Sequence, residues 1–271
     1  MLKASFVLPV KNSEAFILKT IQSLLNQTYA NIEVIVVDDH STDQSPKILQ
    51  RLASKDKRIF YLNLKKGEGP AAARNMGTKL ATGQVILPTD ADDPNYPERA
   101  KVSVEMLEKH KADIFYGNLM RFYVDSNKKE LRHYQPYDAQ LLDNINYIAH
   151  SGASAYYKYV FGKVRGYDEN IIIGEDYDFW LKAQECGFKF CSENIPLAQY
   201  TMHKNQITTH DDKAKIVNRQ KWNRIIRSKH SLYNINIDYV KKHCTPEVYD
   251  FYINKNYKIW FGKESIPQPD D

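Results

Sequence analysis

Four short apolar runs open the chain, and each is followed by an amphipathic stretch. Ser5-Phe6-Val7-Leu8, Ile32 to Val37, Ile59-Phe60-Tyr61-Leu62 and Val85-Ile86-Leu87 are too short for buried helices and read as buried strands. Between them, Ile17, Ile21, Leu24 and Leu25 recur at helical spacing, and Ile48, Leu49 and Leu52 do so after Pro46 in a first turn. An Ala-rich helix follows a glycine loop and closes at Gly83. Strand–helix alternation predicts an α/β fold with a mostly parallel, Rossmann-like central sheet and helices on both faces. After Pro97 the alternation loosens. A helix through Val104 and Leu107 leads to a strand at Ile114-Phe115-Tyr116, and the stretch from Ala149 to Tyr157 is small and aromatic. A further helix runs from about Asp176 to Cys186 with Gly187 as its stop, and the chain from about Asp211 is helical and basic. The expected organisation is one unit over 1–210, whose pattern changes near 97/98, with a helical extension over 211–271.

The chemistry concentrates where strands end. Asp90-Ala91-Asp92-Asp93 directly follows the fourth strand, the edge at which open α/β sheets place ligands. If the segment is extended, Asp90 and Asp92 point the same way and converge on one target, a hard divalent cation shared with substrate phosphates. The bland alternative is a loop whose aspartates cap the next helix. The second strand ends in Asp38, a carboxylate able to accept from a ribose hydroxyl or a base N–H, with Ser41 and Asp43 as caps behind it. Arg74 offers a planar fork for a phosphate or base edge, against the alternative of an exposed helix arginine. Gly174-Glu175-Asp176 puts acids into a helix's first turn, where they also complement the helix dipole. His203, at the end of an expected strand, is a possible further metal ligand. The loop Gly67-Glu68-Gly69-Pro70-Ala71-Ala72 imitates a dinucleotide fingerprint, which would make the protein an NAD-dependent oxidoreductase. It follows the third strand rather than the first, and the acids downstream are three where a ribose needs one.

Composition narrows the partners. A net charge of +5 over 271 residues suits a phosphate-bearing substrate and falls short of a nucleic-acid footprint. Three cysteines without a C-x-x-C pair indicate free thiols in a reducing cytoplasm. Met1-Leu2-Lys3 leads straight into a strand, so no leader is expected, and no apolar run reaches the roughly 20 residues of a spanning helix. The seven bases between Lys213 and Lys229 have no acid among them, and Trp222, Ile225 and Ile226 share a helical face; peripheral contact with an anionic membrane competes with packing of that face on the preceding unit.

Taken in order, Phe6 to Asn12, Val36 to Asp43, Ala73-Arg74-Asn75, Asp90 to Asp93 and Gly174-Glu175-Asp176 resemble glycosyltransferase family 2, nucleotide-sugar-dependent inverting enzymes of the GT-A fold. The resemblance implies that Pro9, Val10, Asp38, Arg74 and Asp90 bind the donor nucleotide, that Asp92 ligates Mn²⁺ or Mg²⁺ with His203 beside it, and that Asp176 is the catalytic base. Glu175 and Ala91 are secondary candidates. It further implies a nucleoside-diphosphate sugar, expected to be a UDP-sugar, and a glycan or lipid-linked acceptor in bacterial surface polysaccharide or lipopolysaccharide synthesis. Lys11 stands where an aromatic often stacks on the base, and Phe179 and Lys182 where Leu and Arg are frequent. A non-catalytic nucleotide-sugar-binding scaffold of the same fold is the main alternative.

Overall fold

Residues 1–148, 151–204, 206, 213–232 and 234–249 are described in a computed structural model. The expected boundary at 210/211 and the end of the extension, 250–271, lie outside the described residues.

The order is β1 (Ala4–Val10), α1 (Ile17–Leu25), β2 (Ile32–Asp38), α2 (Ser45–Ala53), β3 (Ile59–Asn63), α3 (Pro70–Leu80) and β4 (Val85–Pro88). There follow α4 (Arg99–His110), β5 (Ile114–Tyr123), β6 (Lys129–Arg132), α5 (Ala139–Asn144), β7 (Ser154–Tyr157), α6 (Lys158–Lys163), α7 (Glu175–Glu185) and β8 (Phe190–Met202). The extension contributes α8 (Lys213–Lys229), α9 (Ile237–His243) and α10 (Pro246–Tyr249).

The strands form one mixed sheet in the order β3-β2-β1-β4-β7-β5-β6, with β8 paired to β5. β1 to β4 are mutually parallel, as their apolar runs require, because helices cover them. β7 runs antiparallel between β4 and β5, and β8 returns parallel to β5 across 13 residues. Chain crossings leave β1 in opposite directions toward β2 and β4, which opens a crevice beyond their carboxyl ends.

One contact sets how close the site lies to the sheet. α3 starts from Gly69, whose φ of +92° favours glycine, with Pro70 in its first turn. Its small residues Ala71, Ala73 and Gly77 let it lie against β1 and β2. A Cβ on Gly77 would stand 2.6 Å from Val7 Cγ1 and 3.3 Å from Val37 Cγ2. Arg74, one turn earlier on the same helix, is thereby carried to the end of the sheet and buried, at 7% exposure.

Candidate active site

A cavity of about 560 Å³ opens beyond the carboxyl ends of β1 and β4, within the range of small-molecule sites. Pro9, Val10, Arg74, Asp90, Ala91 and Asp92 line it from the first half of the chain, and Glu175, Asp176 and His203 from the second. Residues about a hundred positions apart in sequence therefore share one wall of solvent-facing space. Asp38 is the expected site residue that does not reach it.

The acidic loop after β4 is turned, not extended, with the Asp93 N–H donating to Asp90 O at 3.3 Å. Asp90 and Asp92 consequently serve different partners, which corrects the expectation of a converging pair. His203 Nε2 and Asp92 Oδ2 lie 2.9 Å apart. The end of β8 is fastened to the loop around them: Thr201 donates through N to Asp93 Oδ1 at 2.8 Å and through Oγ1 to Asp92 O at 2.5 Å. The Phe16 ring packs on the His203 imidazole with centroids 4.5 Å apart. Beneath the loop, fully buried Arg99 donates to Thr89 Oγ1 at 2.8 Å, Pro88 O at 2.6 Å and Ser154 O at 3.2 Å. Burial holds its guanidinium down to about 9 despite Asp90 and Asp93 nearby.

Among the described residues no cluster of three His, Cys, Asp or Glu side chains could hold a metal alone. Asp92 and His203 supply one carboxylate oxygen and one imidazole nitrogen facing the cavity, a donor set that fits Mn²⁺ or Mg²⁺ when phosphate oxygens and water complete the shell.

Arg74 joins the two halves of the site. One guanidinium nitrogen donates to Asp90 Oδ1 at 2.6 Å and another to Glu175. The exposed-helix alternative is thus wrong, and the expected fork for the base or diphosphate is instead closed on two carboxylates. Burial pushes the Glu175 carboxyl up, with Arg74 opposing it. Glu175 is committed to this pair, whereas Asp176 stays partly exposed in the cavity wall, its Oδ1 accepting from Tyr177 N at 2.8 Å and from Asn146 Nδ2 at 3.5 Å. Gly174, at φ +86°, makes the turn that presents both acids.

The second strand delivers its neighbouring aspartates to opposite sides. Asp38 is fully buried, accepting from Ser41 N at 2.9 Å and Tyr61 Oη at 3.0 Å, so the nucleoside role expected of it does not match its position. Asp39 faces the cavity. It accepts from Lys11 Nζ at 3.1 Å, Glu68 N at 2.6 Å and Gly69 N at 3.2 Å. The amides of the glycine loop, which a dinucleotide pyrophosphate would need, are turned onto this internal carboxylate, which removes the basis for the oxidoreductase reading.

The extension takes part in the same site. Arg219 and Asn223 of α8 line the cavity, and Ile226 is fully buried against Gly174. Arg227 donates to the carbonyls of Asp143 and Asn144 that end α5, the latter at 2.8 Å. Lys229 reaches Asp178 Oδ1 at 2.6 Å and Asp168 at 2.8 Å. The expected apolar stripe is divided, with Ile226 inside, Trp222 partly covered and Ile225 42% exposed. Two of the bases offered to a membrane are used internally, and the side chains of Lys213 and Lys215 lie outside the described ones. No described helix is long and apolar enough to cross a membrane.

The motif reading did not find Asp39, Asn146 or Asn223. Asp39 was visible as the second acid of a pair at a strand end, but Asn146 and Asn223 carried no signal beyond their residue type.

The profile of glycosyl transferase family 2 matches residues 5–165. An uncharacterized glycosyltransferase of Rickettsia felis is 41% identical over 108 residues, covering 40% of this chain and 18% of that protein. The chain spans about half the length or less of the curated relatives it matches at 35–41% identity. Among solved structures, S. aureus TarS 1–349 in complex with UDP-GlcNAc superposes with a TM-score of 0.63 at 19% identity, covering 94% of this chain and 79% of that one. The mannosyltransferase PcManGT from Pyrobaculum calidifontis, in complex with GDP-Man and Mn²⁺, gives 0.65 at 14% identity, covering 96% and 84%.

Proposed function

The chain belongs to glycosyltransferase family 2, and we propose that it is an inverting enzyme transferring a hexosyl or N-acetylhexosaminyl group from a nucleoside-diphosphate sugar to a hydroxyl of a glycan or lipid-linked acceptor. The observation that carries this reading is that Asp92 with His203, and Asp176, line the same cavity from different elements. A UDP-sugar is the donor we favour; the two structural neighbours hold UDP-GlcNAc and GDP-Man. The setting we propose is bacterial surface polysaccharide or lipopolysaccharide synthesis on the cytoplasmic side.

Each residue has a distinct task in this mechanism. Asp39, with Lys11 beside it, accepts from a base N–H in the cavity. Asp92 and His203 would hold Mn²⁺ or Mg²⁺, which supplies positive charge to the departing diphosphate. Asp176 takes the proton of the acceptor hydroxyl as that oxygen bonds to the anomeric carbon and the bond to the diphosphate breaks, which inverts the configuration. Arg74 keeps Glu175 ion-paired, leaving Asp176 as the carboxylate available for the proton.

The test is release of nucleoside diphosphate from a panel of UDP- and GDP-sugars with Mn²⁺, with and without glycan acceptors. A protein that binds a nucleotide sugar but releases no diphosphate with any acceptor or with water would be the binding scaffold instead.

A further inference from the structure

Asn223 of α8 is 5% exposed, lines the cavity, and has no hydrogen-bond partner among the described residues. Its position is fixed from several sides. Ile226, one turn on, is buried, and Arg227 next to it binds the carbonyl ends of α5. The Asn223 Oδ1 lies 3.6 Å from where a Cβ on Gly174 would stand, so the amide sits against the residue that turns Glu175 and Asp176 into the cavity. Its carboxamide borders the cavity, so its acceptor oxygen and N–H donors are available to a ligand that displaces water there.

The geometry points to Asn223 as a sugar-binding residue: its carboxamide, one acceptor and one NH₂ donor, receives two neighbouring hydroxyls of a pyranose ring beside Asp176. This rests on the transferase reading above and goes beyond it, because α8 lies past residue 165, where the family's profile ends. A carboxamide pairs with a vicinal diol by accepting from one hydroxyl and donating to the other, and it carries no charge that would disturb the adjacent acids. The residues assigned to the base and the metal, Lys11, Asp39, Asp92 and His203, follow β1, β2, β4 and β8, whereas Asn223 comes from α8 and sits against the turn that presents Asp176. The diol can belong to the donor's own sugar or to the acceptor's reacting ring, and both lie next to the base.

Two arms separate those sources. Calorimetry compares UDP with UDP-GlcNAc, and GDP with GDP-Man, on wild type and Asn223→Ala. Diphosphate release is then measured with and without a panel of p-nitrophenyl glycosides. If the donor ring is bound, Asn223→Ala loses about tenfold of the affinity that the sugar adds while binding of the bare nucleotide is unchanged. If the acceptor ring is bound, donor affinity and release to water are unchanged and glycoside-stimulated release falls about tenfold through KM. Lys221→Ala on the exposed side of α8 behaves as wild type. Thermal melts of each variant report folding separately. An Asn223→Ala protein that melts as wild type does and matches it in both arms overturns the assignment. Failure of every protein to bind either nucleotide would instead remove the transferase reading itself.

Discussion

Replacing Arg74 by methionine removes the guanidinium shared by Asp90 and Glu175 and leaves a side chain of similar reach. The two carboxylates respond differently. The Asp90 side chain is 24% exposed and can recover water, whereas that of Glu175 is 11% exposed and cannot. The cost is therefore set by Glu175, and breaking a buried pair from one side typically destabilises by about 3–5 kcal/mol. Glu175 reduces that cost by taking a proton. Burial already pushes its carboxyl up in the wild type, and losing Arg74 raises it further. A carboxyl with a raised folded-state pKa weakens the fold as pH climbs from the unfolded value through the folded one, and the loss is recovered below both. Denaturant unfolding should thus show a deficit of about 3–5 kcal/mol at pH 8 that shrinks toward pH 5. The double variant Arg74→Met/Glu175→Gln should regain much of it, since no unpaired charge remains buried. A deficit below about 1 kcal/mol at pH 8, or one that grows toward acid, refutes the argument.

Three further outcomes follow from the same geometry. Asp92→Asn should abolish the gain in nucleotide affinity that Mn²⁺ gives over chelator while leaving the melt unchanged; calorimetry showing equal wild-type affinity with Mn²⁺ and with chelator would remove the metal role. Asp176→Asn should cut turnover roughly a hundredfold or more with donor affinity nearly constant, and near-normal transfer would place the base elsewhere. Burial pushes the Asp178 carboxyl up, but hydrogen bonds from His230 and Lys229 and the nearby Lys182 outweigh it and hold the group well below its usual range. Its contribution is then complete above the unfolded carboxylate pKa of about 4 and lost as pH falls through the folded one. Asp178→Asn should therefore flatten the acid limb of the stability curve and speed amide exchange across α8; unchanged exchange over 213–229 would show that the pair does not anchor the helix.

The strand–helix alternation of the first 97 residues was legible because each apolar run is short, bounded, and buried on both faces in the parallel sheet. The placement of Asp92 and His203 past strand ends, and of Asp176 in the first turn of α7, was legible because each motif carries its own side chain to the cavity. Motifs failed where neighbours decide which way a residue faces. Asp38 and Asp39 alternate about the strand axis, and only Tyr61, Ser41 and the glycine loop determine which of them turns inward. Arg74 reads as a ligand fork until Asp90 and Glu175, 16 residues and 101 residues away, are seen to close on it. In α8 the basic composition masked inward-facing Asn223 and the buried Arg227, because helical spacing shows which residues share a face but not which face is covered.

The absence of a side chain at Gly77 limits how this protein can diverge. Any replacement there must displace Val7 or lift α3, and Arg74 would rise with it. The acidic loop and the first turn of α7 both hang on that arginine, so a single added methyl group beneath the helix would be felt at residues it never touches.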